Sequence, residues 1–578
     1  MRVLLTRSTG TAGLAGTAHA VNVNPDGTGQ VLIYPYYTTN DGNQTLISVV
    51  NTTDAYKAVK IRFLEGFNSR EVLDFNIYMS PEDVWVASIA DSSAFGAEAG
   101  VPHIFIPDTT CTVPYLYENA STAPGLQAFL DIAYNDYSDV GGMDLEDNGP
   151  RSIGRAGEGH IEVIEMGELD PDAMPPDNRP EELIPATPAT TLGEAIKHVD
   201  GVPGDCGLLE WLWTEAVDVQ TGGIDYDGSG LWVQESIGTE AEITEDTPLG
   251  LNQEVTTGTL PNGGGLFGGA AIVNSENGTM FSYDAKALQG FDGPTTSTGD
   301  DVADGVHYRP GTIYPSLNSG NVSDATVFLT GGQMPAMLGG YANSVDAVSA
   351  AFMHDAIMNE YVVEEALNAG TEWVITFPTK NFYADYERMV EEGIVAEGSD
   401  PVARAPFTQL NGAGTDENPL CEVVSIQTWD REEATFIPEE PEGPLRPPTV
   451  SPSIPPQGSC EDFGTCPTYF QLCHEVNVLR FGESSVFGTP EFAAADALSQ
   501  SLLIEVEDEF DSGWGKIMLD EDTRGDTLRF DQLGLVGLPV TGFAAQEFEN
   551  NFLSGGDVKA NYGGLFSHKT STMMSSAP

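Results

Sequence analysis

Asp225-Tyr226-Asp227-Gly228-Ser229-Gly230 sets oxygen ligands at alternate positions ahead of a glycine turn, the pattern of a loop that wraps a hard cation such as calcium. It is not an EF-hand, because the twelfth position, where glutamate is required, is Ser236. Asp225, Asp227 and Ser229 are therefore the candidate calcium ligands; the competing reading makes them solvated turn residues. Asp136, Asp139, Asp144, Glu146 and Asp147 form a second acid-dense loop. Six cysteines are the other potential ligands. An even number suits disulfides in an oxidising compartment. The expected pairs are Cys111–Cys206, Cys421–Cys473 and a small Cys460–Cys466 loop, although four clustered cysteines allow three pairings. A four-cysteine zinc site needs close CxxC pairs. Five residues separate Cys460 from Cys466 and six separate Cys466 from Cys473, so those pairs are missing.

Catalytic patterns are absent or fail on context. Gly263, Gly265 and Gly268 match a dinucleotide fingerprint in spacing, but that chemistry needs a strand before and a helix N-terminus after. Here Leu260-Pro261-Asn262 precedes and the strand-like Ala271-Ile272-Val273 follows, so a hairpin or glycine loop is expected. No GxSxG elbow, Walker lysine loop or HExxH helix occurs; His474-Glu475 lacks the second histidine. Eight histidines are scattered, and His354-Asp355 lies in a strand-like segment where neighbours point to opposite faces. Glu162 and Glu165 would likewise face opposite sides of one strand, so they do not make the carboxylate pair of a glycosidase. No enzyme activity and no cofactor other than calcium is expected.

The elements that carry these residues are strands. Val59-Lys60-Ile61-Arg62-Phe63 and Leu73-Asp74-Phe75-Asn76-Ile77 alternate with the period of two that marks a buried face. Asn40-Asp41-Gly42-Asn43 is hairpin punctuation, and Ser80-Pro81-Glu82-Asp83 has the cap-plus-proline look of a short helical turn. Short helices are expected at 191–199, 208–214 and 383–392. Residues 169–188 and 437–458 are proline-rich acidic loops. Ser48-Val49-Val50-Asn51 and Ala271-Ile272-Val273-Asn274 suggest a faint internal repeat. At 578 residues the chain is too long for one ordinary core. It divides into an N-terminal β-sandwich domain (21–215), a glycine-rich middle β region (216–340) and a C-terminal β domain (341–578). The fold class is all-β and mostly antiparallel: β-sandwich or jelly-roll-like units, a few short helices and long proline-rich loops.

Charge narrows the partners. Eighty-eight Asp and Glu against 23 Lys and Arg give a formal net charge of −65. A phosphate backbone needs cations opposite it, so nucleic acid is excluded, and an anionic membrane surface is disfavoured. Self-repulsion of this size calls for screening or bound cations, as a marine or halophilic medium provides. Arg2 and Arg7, a weak apolar run and Thr17-Ala18-His19-Ala20 predict a secretory leader over residues 1–20, itself shortened at its start, with maturation near Val21. No stretch approaches 18 apolar residues, so no membrane-spanning helix is expected.

Val31 to Tyr37 (VLIYPYY), Phe63 to Glu71 (FLEGFNSRE), Trp373 to Lys380 (WVITFPTK) and Asn561 to Phe566 (NYGGLF) resemble a group of proteobacterial secreted proteins, described as hypothetical or cell-surface proteins. The resemblance touches the beginning, middle and end of the chain. It implies export and surface placement, and it carries over no catalytic residue. The expectation is an extracellular or cell-surface protein of structural or adhesive role, acting by self-assembly or on other surface components. The alternative is a carbohydrate-binding or glycan-active β-sandwich protein, for which a concave strip of exposed aromatics would be the mark.

Overall fold

Val31–Thr38 (β2) and Ala369–Thr376 (β17, in the order introduced below) are buried at all eight positions, whereas Asn43–Asn51 (β3) alternates buried and accessible. A strand apolar on both parities needs cover on both faces; an alternating one needs it on one. That contrast dictates the layering. A computed structural model describes residues 20–576 apart from 115–124, 213–262, 297–303, 408–420, 437–467, 490–500, 520–527, 551–560 and some isolated positions and shorter runs. It is mostly antiparallel strand, with a few short helices and no closed barrel.

The N-terminal unit pairs two sheets. Its strands are Ala20–Val23 (β1), β2, β3, Tyr56–Glu65 (β4), Glu71–Met79 (β5), Val84–Asp91 (β6), Pro102–Phe105 (β7), Cys111–Val113 (β8), Leu126–Ala128 (β9) and Glu158–Leu169 (β10). Five further strands come from beyond residue 262: Leu266–Asn274 (β11), Thr279–Asp284 (β12), Lys286–Gln289 (β13), Asp324–Val327 (β14) and Ala336–Gly339 (β15). The nine-stranded sheet runs β15-β14-β1-β13-β2-β10-β4-β5-β8 and the six-stranded sheet β12-β11-β3-β6-β7-β9. The glycine-rich middle region thus completes both sheets of the N-terminal unit. The faint repeat is a pair of neighbours in one sheet, β3 and β11, in antiparallel register from Asn43↔Asn274 to Asn51↔Leu266. Tyr34, Val49, Phe63, Trp85 and Ile272 fill the core between the sheets.

The C-terminal unit repeats the plan with Ala356–Val362 (β16), β17, Glu422–Asp430 (β18), Thr435–Phe436 (β19), Thr468–Leu472 (β20), Val476–Phe481 (β21), Ser501–Ile504 (β22), Ser512–Met518 (β23), Thr541–Phe548 (β24), Tyr562–Ser567 (β25) and Lys569–Ser571 (β26). One sheet is β22-β21-β17-β24-β25; the other is β19-β18-β23-β16-β26, with β20 also on β18. Trp373, Tyr361, Phe481, Ile426 and Ile517 lie between them.

The two units share core. Tyr36, Phe281 and Tyr283 of the first interleave with Phe487 and Phe543 of the second. Thr376 Oγ1 also donates to the Pro35 carbonyl at 2.6 Å. Pro35 is tolerated inside β2 because the ladder with β10 slips between Gly159 and Ile161, so no partner awaits its missing N–H.

Helices are short: Leu192–Ile196 (α1), Cys206–Trp211 (α2), Ser344–Phe352 (α3), Asn381–Ala384 (α4) and Tyr386–Glu391 (α5). Thr191, Asp205 and Asp385 cap α1, α2 and α5 through their side chains. Ser80–Asp83, expected as a helical turn, is a tight turn with Glu82 in the left-handed region. Pro81 sets the first corner, and the Asp83 carboxylate accepts the Ser80 N–H in place of a helical bond. Among the described residues no helix is long and apolar enough to cross a membrane.

Candidate functional site

Asp225, Asp227 and Ser229, the candidate calcium ligands, lie outside the described residues, as do Cys460 and Cys466. Of the second acidic loop, Asp136 and Asp147 are described. Asp136 accepts the backbone N–H of Ser138 in an exposed turn. Asp147 is half of an ion pair: Arg155 reaches it at 2.7 Å and Glu65 at 2.9 Å, while Asn68 donates to it at 2.8 Å. Burial would raise its carboxyl, but the Arg155 hydrogen bond and charge hold it below the usual range. Among the described residues no three His, Cys, Asp or Glu side chains gather as a metal site. Cys111 is bonded to Cys206, tying β8 to the start of α2, and Cys421 is bonded to Cys473, tying β18 to the end of β20.

The glycine loop has a structural task. Gly264 and Gly265 take positive φ, and the Gly264 N–H binds Glu165 Oε2 at 2.8 Å. A Cβ on Gly268 would run into the Tyr34 hydroxyl and the Ser48 carbonyl, so the residue lets β11 close onto the core. Glu162 and Glu165 do face opposite sides of β10: Glu162 meets Arg62 at 2.7 Å and Glu165 meets Lys57 at 2.6 Å. His354 binds the Thr572 hydroxyl at 2.8 Å.

Charged side chains concentrate inside. On the face of the nine-stranded sheet turned away from the six-stranded one, Arg62 bridges Glu162 and Glu71, and Lys60 meets Asp74. A loop through Tyr308 and Gly311 closes over them, accepting from Asn76 and donating to Asp74, and α5 follows with Arg388 and Glu392. Nearby, the segment 485–489 fastens the two units through carboxylates. Ser485 Oγ and Phe487 N donate to Glu372 at 2.8 Å each, and Tyr36 and Thr489 donate to Glu158 at 2.7 and 3.0 Å. Burial is the main reason that Glu158, Glu372 and Glu547 are each pushed up to about 7; repulsion from Glu372 adds to it at Glu158 and Glu547.

Outside, the pattern reverses. Among the described residues the outer face of the six-stranded sheet is accessible, yet its strands carry almost no charge: Asn43–Asn51 and Leu266–Asn274 contain none, and Val84–Asp91 only its last residue. Register sets the rows. Val84, Val50 and Phe267 stand side by side; next come Val86, Ser48 and Gly269; then Ser88, Leu46 and Ala271. Leu46 is 43% exposed, Val84 46%, Phe267 42% and Met280 58%. Asp284 enters only on the edge strand, beside Gly269. Large apolar groups with small ones between them form a field almost without charge on a chain of net charge −65.

Two other places are concave or aromatic. A cleft of about 630 Å³ beside the Cys111–Cys206 bond is lined by Thr109, Arg179, Asp205 and Trp211 among others, but Arg179 is bound by Asp205 at 2.6 Å. On the outer face of the second six-stranded sheet Trp429 and Trp514 stack at 4.2 Å and 12°, so each ring hides one face of the other. The chain matches no protein-family model, no curated protein and no solved structure. The residues that sequence reasoning overlooked are those of the uncharged face. Their signal was available: β3 and β11 without charge on either parity and β6 with only its terminal Asp91, in a chain where charged residues make up 19%.

Proposed function

We propose that this chain is an exported, acidic protein of the cell surface or its surroundings, without catalytic activity, that works through the faces it presents. The observation that carries the reading is the accessible, uncharged face of the six-stranded sheet. On a surface bearing this much negative charge, an unneeded face would be expected to carry its share of carboxylates. Two disulfides suit an oxidising compartment, and the resemblance noted above implies the same placement. Glycan binding is the second reading. It rests on the Trp429–Trp514 pair, with Trp514 38% exposed, where a sugar ring could meet the free indole face.

Fractionation of the source cells, with thiol labelling, tests the leading reading. Recovery from the medium or outer surface, with Cys111, Cys206, Cys421 and Cys473 blocked to alkylation before reduction, is the expected result. Recovery in the cytosol with free thiols would overturn it. Glycan arrays bound through Trp514 would move the account to the second reading.

A further inference from the structure

We propose that the outer face of the six-stranded sheet is a docking surface for a second copy of this chain, sheet against sheet about a twofold axis. The inference rests on the surface-protein reading and goes further by naming the partner.

Charge selects the occupant. Two molecules of net charge −65 repel least where the facing surfaces carry no charge, and this face comes nearest to that. An acidic partner of any other make-up would need an equally neutral patch; a second copy brings one by construction. A basic partner would find carboxylates only at the margins of the field, at Asp284 on the edge strand, at Asp91 at the end of β6 and at Asp108, which accepts the Val86 N–H. Shape agrees. The middle of the field is low, with Ser48, Gly269 and Ala271, and taller groups stand on either side, Val84, Val50 and Phe267 along one row and Leu46 beyond. Two such surfaces related by a twofold axis set tall rows beside low ones, as packed sheets do at a spacing of about 10 Å. Size is adequate. Four outward positions on each of β3, β6 and β11, three on β12 and two on β7 give roughly 550 Å² per copy, near the lower end of a specific interface.

The test uses the mature chain in sedimentation velocity across concentrations, at 0.1 M and 1 M NaCl. A dimer that tightens with salt is expected, since screening removes the repulsion while apolar contact stays. Leu46→Glu and Val86→Glu should each weaken association at least tenfold, while Met174→Glu, at a residue 74% exposed elsewhere, should leave it unchanged. Ser48→Cys, near the proposed axis, should give a cross-linked dimer under mild oxidation. A chain that stays monomeric at 1 M NaCl and about 100 µM would overturn the proposal, as would a dimer indifferent to both glutamates. The surface-protein reading would survive either result, because it stands or falls on fractionation.

Discussion

Two faces of the N-terminal sandwich invert the usual rule. The face of the nine-stranded sheet that carries Lys60, Arg62, Asp74 and Glu162 is charged and sealed; the outer face of the six-stranded sheet, with Leu46, Val86 and Phe267, is uncharged and open. In the first, each charge was taken out of water and had to be matched, so Arg62 is held between Glu71 and Glu162 at 2.6 and 2.7 Å. In the second, apolar groups were left in water although carboxylates were abundant. The first arrangement specifies how this chain packs on itself. The second leaves apolar groups uncovered among the described residues.

The comparison can be broken from its buried side first. Arg62→Met should cost about 3–5 kcal/mol in urea unfolding, because Glu71 and Glu162 are left buried without their cation. Replacing all three by apolar residues of similar volume should recover most of that loss. Gly268→Ala should cost roughly 1–3 kcal/mol or more by the same measurement, since the new methyl meets Tyr34 and the β3 backbone.

The junction carboxylates give a pH signature. With Glu158 and Glu372 each pushed up to about 7 from 4.5, the native state binds more protons than the unfolded chain between those values. Their contribution is full below about 4.5 and is lost as pH rises through about 7. Buried neutral histidines act in the opposite sense: burial lowers His160 and His307 to about 3, so they favour the native state as pH rises toward 6.5. Above 6.5 the histidines no longer contribute to the slope. Glu372→Gln should therefore make stability flatter between pH 6.5 and 8.5 and higher at the upper end, read by thermal unfolding across that range. The smallest effect belongs to the open face: Leu46→Glu should change monomer stability by less than about 0.5 kcal/mol. A large loss there would mean that Leu46 belongs to the core, and the comparison would fail.

Strand periodicity made the sheets legible. Val59 to Phe63 and Leu73 to Ile77 are paired strands, registered Phe63↔Leu73 and Val59↔Ile77, because alternation reports burial directly. The cysteine spacing likewise led to Cys111–Cys206 and Cys421–Cys473, both present. What alternation does not report is the fate of the polar parity. Lys60 and Arg62 look solvent-facing by period alone, yet both are buried, with Tyr308, Gly311 and α5 arriving over that face from far along the chain. Strand order was hidden for the same reason: β11 and β13 join sheets begun more than 200 residues earlier, and no local pattern encodes that return. The uncharged face was legible in composition but not in periodicity, since Leu46-Ile47-Ser48-Val49-Val50 looks like any buried strand.

The most direct measurement is hydroxyl-radical footprinting of the chain over a range of concentrations at 1 M NaCl, following Met280 on the uncharged face and Met174 away from it. Both are accessible in the single chain, at 58% and 74% exposure. The account predicts that oxidation of Met280 and Phe267 falls as concentration rises while Met174 stays fully reactive. Equal reactivity of Met280 and Met174 at every concentration would contradict it.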